Sequence, residues 1–375
     1  MNISYFLLLW LIGIVTPHVI KYAIEDFGLA QRKLHQAVGT IHGQHINIAN
    51  RFLGFVGNLS SEHLAILRNS PWIAYVEPEG RFKLNGFEDD QNLIVQPDPP
   101  NWGLSRISCR ARNLDLPYVY NTAAGKGVDV YVLDSGVNVA HQDFQGRAKF
   151  GANFANEIDD DLRGHGTHVA GIIAGSAFGV AKKANIISVK VISTKAHTGT
   201  STIIQGLEWA VKASLERENN PLINMSFNGK RSQALNDVIA AITASNIPVI
   251  VSAGNRRTDA CKFSPASSEW ALTVGATDKR DRKAPFSNFG SCVDIFAPGR
   301  RIRSDSIGSL TATMIKSGTS MAAPHVAGVA ALFLSQRTFK TPKELYETIL
   351  NVATKNILVN LTKESPNLLV YNSLV

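Results

Sequence analysis

Beyond about residue 102, short apolar runs alternate with helical spacings. Residues 128–133, 186–191, 222–225, 248–252 and 271–274 are apolar runs of the kind that suit strands buried on both faces. Between them, residues 202–215 and 234–245 carry apolar positions at helical spacing. This alternation predicts an α/β domain with a doubly wound, mostly parallel sheet. In such sheets the functional side chains sit on loops beyond the carboxyl ends of the strands.

The N-terminal part has a different rhythm. Strand-like 19–24 is followed by Leu29, Leu34, Ala37 and Val38 at helical spacing, then by strand-like 51–56. Ser60 or Ser61 caps a short helix through Leu64, Ile66 and Leu67, and residues 72–77 return as a strand. Strand, helix, strand, helix, strand predicts a small α+β module. Ahead of it, residues 5–15 are almost unbroken apolar sequence, the length of a signal-peptide core and short for a membrane span. No other stretch approaches the ~20 apolar residues of a transmembrane helix. Residues 80–100 are polar, rich in proline and carry Glu88-Asp89-Asp90, so they read as an exposed linker. The organisation is therefore a signal peptide over 1–18, a small module over 19–84, a linker over 85–100 and a large domain over 101–375.

Composition changes this picture little. Of 375 residues, 45% are hydrophobic and 18% charged, which suits a packed globular chain and excludes disorder. The net charge of +8 comes from scattered Lys and Arg, so it argues for solubility and against a nucleic-acid surface. Cys109, Cys261 and Cys292 make an odd count.

Three short motifs carry candidate chemistry: Val132-Leu133-Asp134-Ser135-Gly136, Gly164-His165-Gly166-Thr167-His168, and Gly318-Thr319-Ser320-Met321-Ala322-Ala323-Pro324. Each sets one reactive side chain among small residues where a strand or loop meets a helix. Taken singly, Asp134 reads as a turn or cap aspartate and Ser320 as an N-cap serine, with Pro324 in the first turn. His165 and His168 could suggest a metal pair, but no His-Glu-x-x-His motif and no third ligand accompany them. A serine hydroxyl needs an adjacent base and a place for negative charge, and a helix N-terminus offers N–H groups for the latter. Asp, then His, then Ser excludes the order of α/β-hydrolases, where the nucleophile comes first.

With Ala253-Gly254-Asn255, these motifs resemble the subtilisin family, and 102–371 looks most like its proteinase K-like branch. The resemblance implies a subtilisin-like fold and a serine endopeptidase with a triad of Asp134, His165 and Ser320. In it, Asn255 donates to the oxyanion beside the Ser320 N–H. Phe52-Leu53-Gly54-Phe55 and Tyr75-Val76-Glu77-Pro78 resemble the ferredoxin-like prodomain of subtilisin precursors, an intramolecular inhibitor removed by a cut between about residues 84 and 97.

Ser226-Phe227-Asn228-Gly229 stands where relatives commonly carry Ser-Leu-Gly-Gly. The resemblance makes it the segment that pairs with a peptide substrate, opposite Ala253 and Gly254. Asn228 in place of glycine departs from the pattern and puts an inherited specificity in doubt. Ala196-His197-Thr198 would form the opposite edge. Cys261 and Cys292 stand in contexts resembling a disulfide of some relatives, which would leave Cys109 free; three buried thiols are the alternative. Asp294 matches a calcium-ligand aspartate of proteinase K-like enzymes, completed there by carbonyls near Glu269 and Ala271, or else is merely hydrogen-bonded. Asp159-Asp160-Asp161 reads as a solvated loop. Sequons begin at Asn58, Asn224 and Asn360, the second expected to be inaccessible. The expectation is a secreted monomer acting on protein or peptide substrates, with calcium, if present, only structural.

Overall fold

The computed structural model describes residues 16–79 and 92–373. They form two compact units, one within residues 1–88 and the other within 89–375. The apolar run at 5–15 and the acidic residues 88–90 lie outside the described residues.

The first unit runs β1 (Thr16–Tyr22), α1 (Phe27–Val38), β2 (Gly43–Ile48), β3 (Phe52–Leu59), α2 (Ser61–Arg68) and β4 (Ile73–Pro78). Its sheet order is β2-β3-β1-β4, with every neighbouring pair antiparallel, the arrangement of a ferredoxin-like module. Ile20, Tyr22, Leu53, Phe55 and Leu59 bury one face of the sheet against Ala30, Leu34 and Leu67 of the helices. Ser60 caps α2, its Oγ accepting the His63 N–H at 3.2 Å, and Asp26 does the same for α1. β2 has no counterpart in the expected elements. It is an edge strand in which Gln44, His45 and Asn47 interrupt the apolar pattern. β1 begins at Thr16, paired with Leu59, so a cut after His18 would take residues 16–18 out of the sheet.

The second unit is built on a nine-stranded sheet. Its order is Thr354–Lys355, Leu368–Leu369, Ile295–Pro298, Leu272–Thr277, Val249–Ser252, Asn220–Met225, Val128–Asp134, Asn185–Lys190 and Ala148–Asn153. All neighbours are parallel except the edge pair Thr354–Lys355 and Leu368–Leu369. Alternate residues of one strand feed opposite cores: Val130 and Val132 join helices His165–Ala174 and Thr319–Leu334, while Tyr131 and Leu133 join Thr200–Leu215 and Gln233–Ala244. Burial on both sides is why these runs read as continuously apolar.

From Val128–Asp134 the chain moves to one side of the sheet, then crosses to Asn220–Met225 on the other. The direction of winding reverses between these two strands, and a crevice opens beyond their carboxyl ends. Four strands of this sheet, Ala148–Asn153, Ile295–Pro298, Thr354–Lys355 and Leu368–Leu369, were not among those expected. Part of the expected linker also belongs to this unit, because Leu93–Gln96 pairs with Tyr118–Asn121.

Candidate active site

Asp134 is the last residue of its strand and is fully buried. Its Oδ1 accepts the Ser135 N–H at 2.7 Å and lies 2.7 Å from His165 Nδ1. His165 opens the helix His165–Ala174, directly after Gly164. The approach depends on glycine: a Cβ at position 166 would fall 2.0 Å from the Gly136 carbonyl oxygen and 3.1 Å from Asp134 Cβ. Burial pulls the His165 pKa down. The charge and hydrogen bond of Asp134, helped by Asp161 and opposed by Lys316, outweigh it and leave the imidazole above its ordinary value.

Ser320 is the second residue of the helix Thr319–Leu334, whose N-cap residue, Gly318, has no side chain with which to cap it. Its hydroxyl donates instead to the Ser226 carbonyl at 2.8 Å. Pro324 lies within the helix rather than in its first turn, and it supplies no N–H to the Ser320 carbonyl. Asn255 is locked by its oxygen, which accepts the Thr319 N–H at 2.8 Å and the Thr319 hydroxyl at 3.0 Å. Thr319 Oγ1 in turn accepts the Gly254 N–H at 3.0 Å. With Oδ1 engaged, the donor end of the Asn255 amide is the end left for a ligand.

These residues open onto one cleft of about 290 Å³, lined by Asp134, His165, Asn255, Ser320 and the segment Ser226, Phe227 and Asn228 facing Gly254. Gly229 and Ala253 stand outside the lining. Gly229 pairs with Ser264, and Ala253 is buried with its carbonyl taking the Asn288 amide. Asn228 crowds Gly254, since a Cβ there would lie 1.8 Å from Asn228 Nδ2. Residues 226–228 belong to no strand, so their backbone edge is unladdered. Of the expected edge 196–198 only Ala196 is in the lining, and it is joined by Ile192, Arg163 and Lys316, which the motifs gave no reason to choose. A larger cavity of about 510 Å³ around Trp270, Lys340 and Tyr346 contains none of the expected triad.

The remaining expectations are placed as follows. His168 is buried and its Nε2 donates to the carbonyls of Ile302 and Met314, so it faces the core rather than a metal shared with His165. Burial takes its pKa down to about 3. Cys261 and Cys292 form a disulfide with Cα atoms 5.3 Å apart, and Cys109 is a free thiol. Asp294 accepts the Thr273 N–H at 2.7 Å, while burial pushes its carboxyl up to about 6. A half-buried carboxylate suits a cation, yet among the described residues no three His, Cys, Asp or Glu side chains gather to hold one. Asn224 is fully buried, whereas Asn58 and Asn360 are exposed. Asp161 is a correction to the solvated-loop reading, since it is only 4% exposed.

Comparison with known proteins gives the same answer as the geometry. Residues 125–368 match the model of the subtilase family. The chain is 44% identical, over 95% of its length and 81% of the relative's, to a subtilase-type proteinase, psp3, of Schizosaccharomyces pombe. It is 40% identical to cerevisin of Saccharomyces cerevisiae, over 87% of this chain and 54% of that one. A crystal structure of a cold-adapted subtilisin-like serine proteinase matches with a TM-score of 0.68 and 40% identity, covering 72% of this chain and 98% of the other. The chain belongs to the subtilase family and is a serine endopeptidase.

Proposed function

We propose that this chain is a secreted endopeptidase of the proteinase K-like branch that matures by cutting itself and hydrolyses peptides through an acyl-enzyme. The observation that carries the reading is the convergence of Asp134, His165, Asn255 and Ser320 on one cleft, with Asp134 and His165 2.7 Å apart. His165 Nδ1–H is held by Asp134, which leaves Nε2 as the base. Ser320 turns from the Ser226 carbonyl, gives its proton to Nε2 and bonds to the substrate carbonyl carbon. The carbonyl oxygen takes up the electron pair and is met by the Asn255 amide and the Ser320 N–H. The imidazolium returns the proton to the leaving amine, and water repeats the sequence on the acyl-enzyme.

An extended peptide lies along the open edge 226–228, with its side chain toward Gly254. Asn228 narrows that pocket. Residues 1–18 act as the secretion signal, the 19–84 module as inhibitor, and the maturation cut falls within 85–100. Exposed Asn58 and Asn360 are the glycosylation sites, and the mature enzyme is monomeric. Asp294, with carbonyls near Glu269 and Ala271, would hold a structural Ca²⁺, which supplies oxygen-rich cross-linking of loops and takes no part in the reaction.

The test pairs mass spectrometry of secreted wild type and Ser320→Ala with a fluorogenic peptide assay. Wild type trimmed to mature size and active, beside an inert and untrimmed variant, is the expected result. Equal trimming of both, with hydrolysis by neither, would refute it.

A further inference from the structure

Asp161 is a buried carboxylate that the reaction scheme leaves unused. Its neighbours Asp159 and Asp160 are exposed, but Asp161 turns inward and collects five hydrogen bonds. Oδ1 accepts from Ser135 Oγ at 2.9 Å, the Arg163 N–H at 3.0 Å and the Gly164 N–H at 2.9 Å. Oδ2 accepts from the Thr167 N–H at 2.9 Å and the Thr167 hydroxyl at 2.6 Å. These donors belong to two segments. Ser135 follows Asp134, while Gly164 and Thr167 flank His165. Ser135 Oγ also accepts the Gly166 N–H at 3.1 Å, so the strand exit and the helix start are tied into one ring of bonds.

Part of this is ordinary capping. Gly164 offers no side chain to the helix, and Asp161 takes the N–H of Thr167 in the first turn and of the N-cap Gly164 itself. A cap alone has no use for the bond to Ser135, which lies on the strand side. We propose that Asp161 is a positioning residue for peptide hydrolysis: through this ring of bonds it fixes Asp134 against His165. The proposal rests on the assignment of His165 as the base.

The charged and titratable groups around His165 come from every element near it: Asp134 from the strand, Asp161 from the preceding loop, Lys316 from the strand Thr313–Lys316, and His168 from the next turn of its own helix. His168 is neutral in the working range, because burial holds it at about 3. Lys316 is pulled below its ordinary value by burial and restored in part by Asp161 and Asp134, with Arg163 opposing. Loss of the Asp161 charge therefore leaves Asp134 facing Lys316 alone.

The test compares Asp161→Asn and Ser135→Ala in the full chain, each normalised to active sites titrated with a serine-directed fluorophosphonate. Wild type and Ser320→Ala serve as references. Asp161→Asn is expected to lower kcat by about 10²-fold, the cost of a small misplacement of reacting groups, with KM little changed. The acid limb of its kcat/KM profile moves to lower pH as the imidazolium loses a neighbouring charge. Ser135→Ala breaks the ring but keeps the charge, so kcat falls while the acid limb stays in place. If Asp161→Asn melts earlier yet keeps wild-type kcat and acid limb per titrated site, Asp161 is a helix cap and the proposal fails. If Asp161→Asn does not fold, Ser135→Ala decides: reduced kcat supports positioning, and wild-type kcat overturns it. Activity in Ser320→Ala would instead overturn the reading of the site itself.

Discussion

Two histidine–aspartate pairs in the second unit show how differently the same residue types behave when buried. His165 Nδ1 stands 2.7 Å from Asp134 Oδ1, and that oxygen also takes the Ser135 N–H at 2.7 Å. His141 Nδ1 stands 3.6 Å from Asp305 Oδ1, but it already accepts the Asp143 N–H at 3.3 Å, while its Nε2 donates to the Ala312 carbonyl at 3.0 Å. The lone pair of His141, rather than a proton, thus faces Asp305. Neither Asp305 oxygen finds a donor, and a second carboxyl, Asp143, lies beside it. Burial first, then the charge and hydrogen bond of Asp143, push Asp305 up to about 8. Both aspartates are fully buried. What separates them is the supply of N–H groups, which makes one an acceptor for an imidazole and the other a carboxylic acid that keeps its proton.

The largest test removes the first pair's charge. Asp134→Asn is expected to lower kcat by about 10⁴-fold, since the amide no longer holds the useful tautomer. Titrated steady-state kinetics would reveal it, and a loss under tenfold would break the contrast. Asn255→Ala checks that the loss belongs to the pair. It should lower kcat by about 10²–10³-fold through the oxyanion, with the pH profile unmoved. A shifted acid limb in that variant would tie Asn255 to the imidazole instead.

The second pair is tested through stability, on a Ser320→Ala background to prevent self-digestion. A folded pKa of about 8 lies above the unfolded value of about 3.9, so the native state holds a proton that the unfolded chain lacks between them. Stability from this group is present at low pH and falls as pH rises through that window, levelling off above about 8. Asp305→Asn cannot ionise, so relative to its parent its Tm should climb with pH, by about 2–4 °C for each kcal/mol regained. Parallel Tm–pH curves for the two would refute the protonated acid. The smallest effect is that of His141→Gln, which disturbs the hydrogen bonds to the Ala312 carbonyl and from the Asp143 N–H, each worth about 1 kcal/mol, and should leave kcat unchanged.

The first pair was legible in the sequence and the second was not, for a physical reason. Asp134, His165, Asn255 and Ser320 sit in motifs of small residues, because a reactive side chain at a strand–helix junction forces its neighbours to be small. The virtual clash of a Cβ at Gly166 with the Gly136 carbonyl shows that pressure directly. Asp305 lies on a short strand, Ile302–Asp305, with Arg303 exposed two residues before it, and nothing local announces its burial. Asp161 was hidden by its exposed neighbours, since hydrogen bonds to segments about 26 residues upstream leave no periodic trace. In the fold, apolar runs announced the central strands, but polar β2 and the edge strand Ala148–Asn153, with exposed Lys149 and Phe150, carried too little apolar pattern.

The hydrogen bond from Ser320 to the Ser226 carbonyl has a kinetic side. A hydroxyl held there is stowed, and reactivity scales with the fraction of molecules in which it has swung toward His165. On the proposed reading, a peptide lying along 226–228 contends for that carbonyl and frees the nucleophile as it docks. Small acylating reagents that ignore this edge meet only the spontaneously released fraction. The ratio of peptide turnover to small-ester turnover thus gauges how far the substrate arms the enzyme that cuts it.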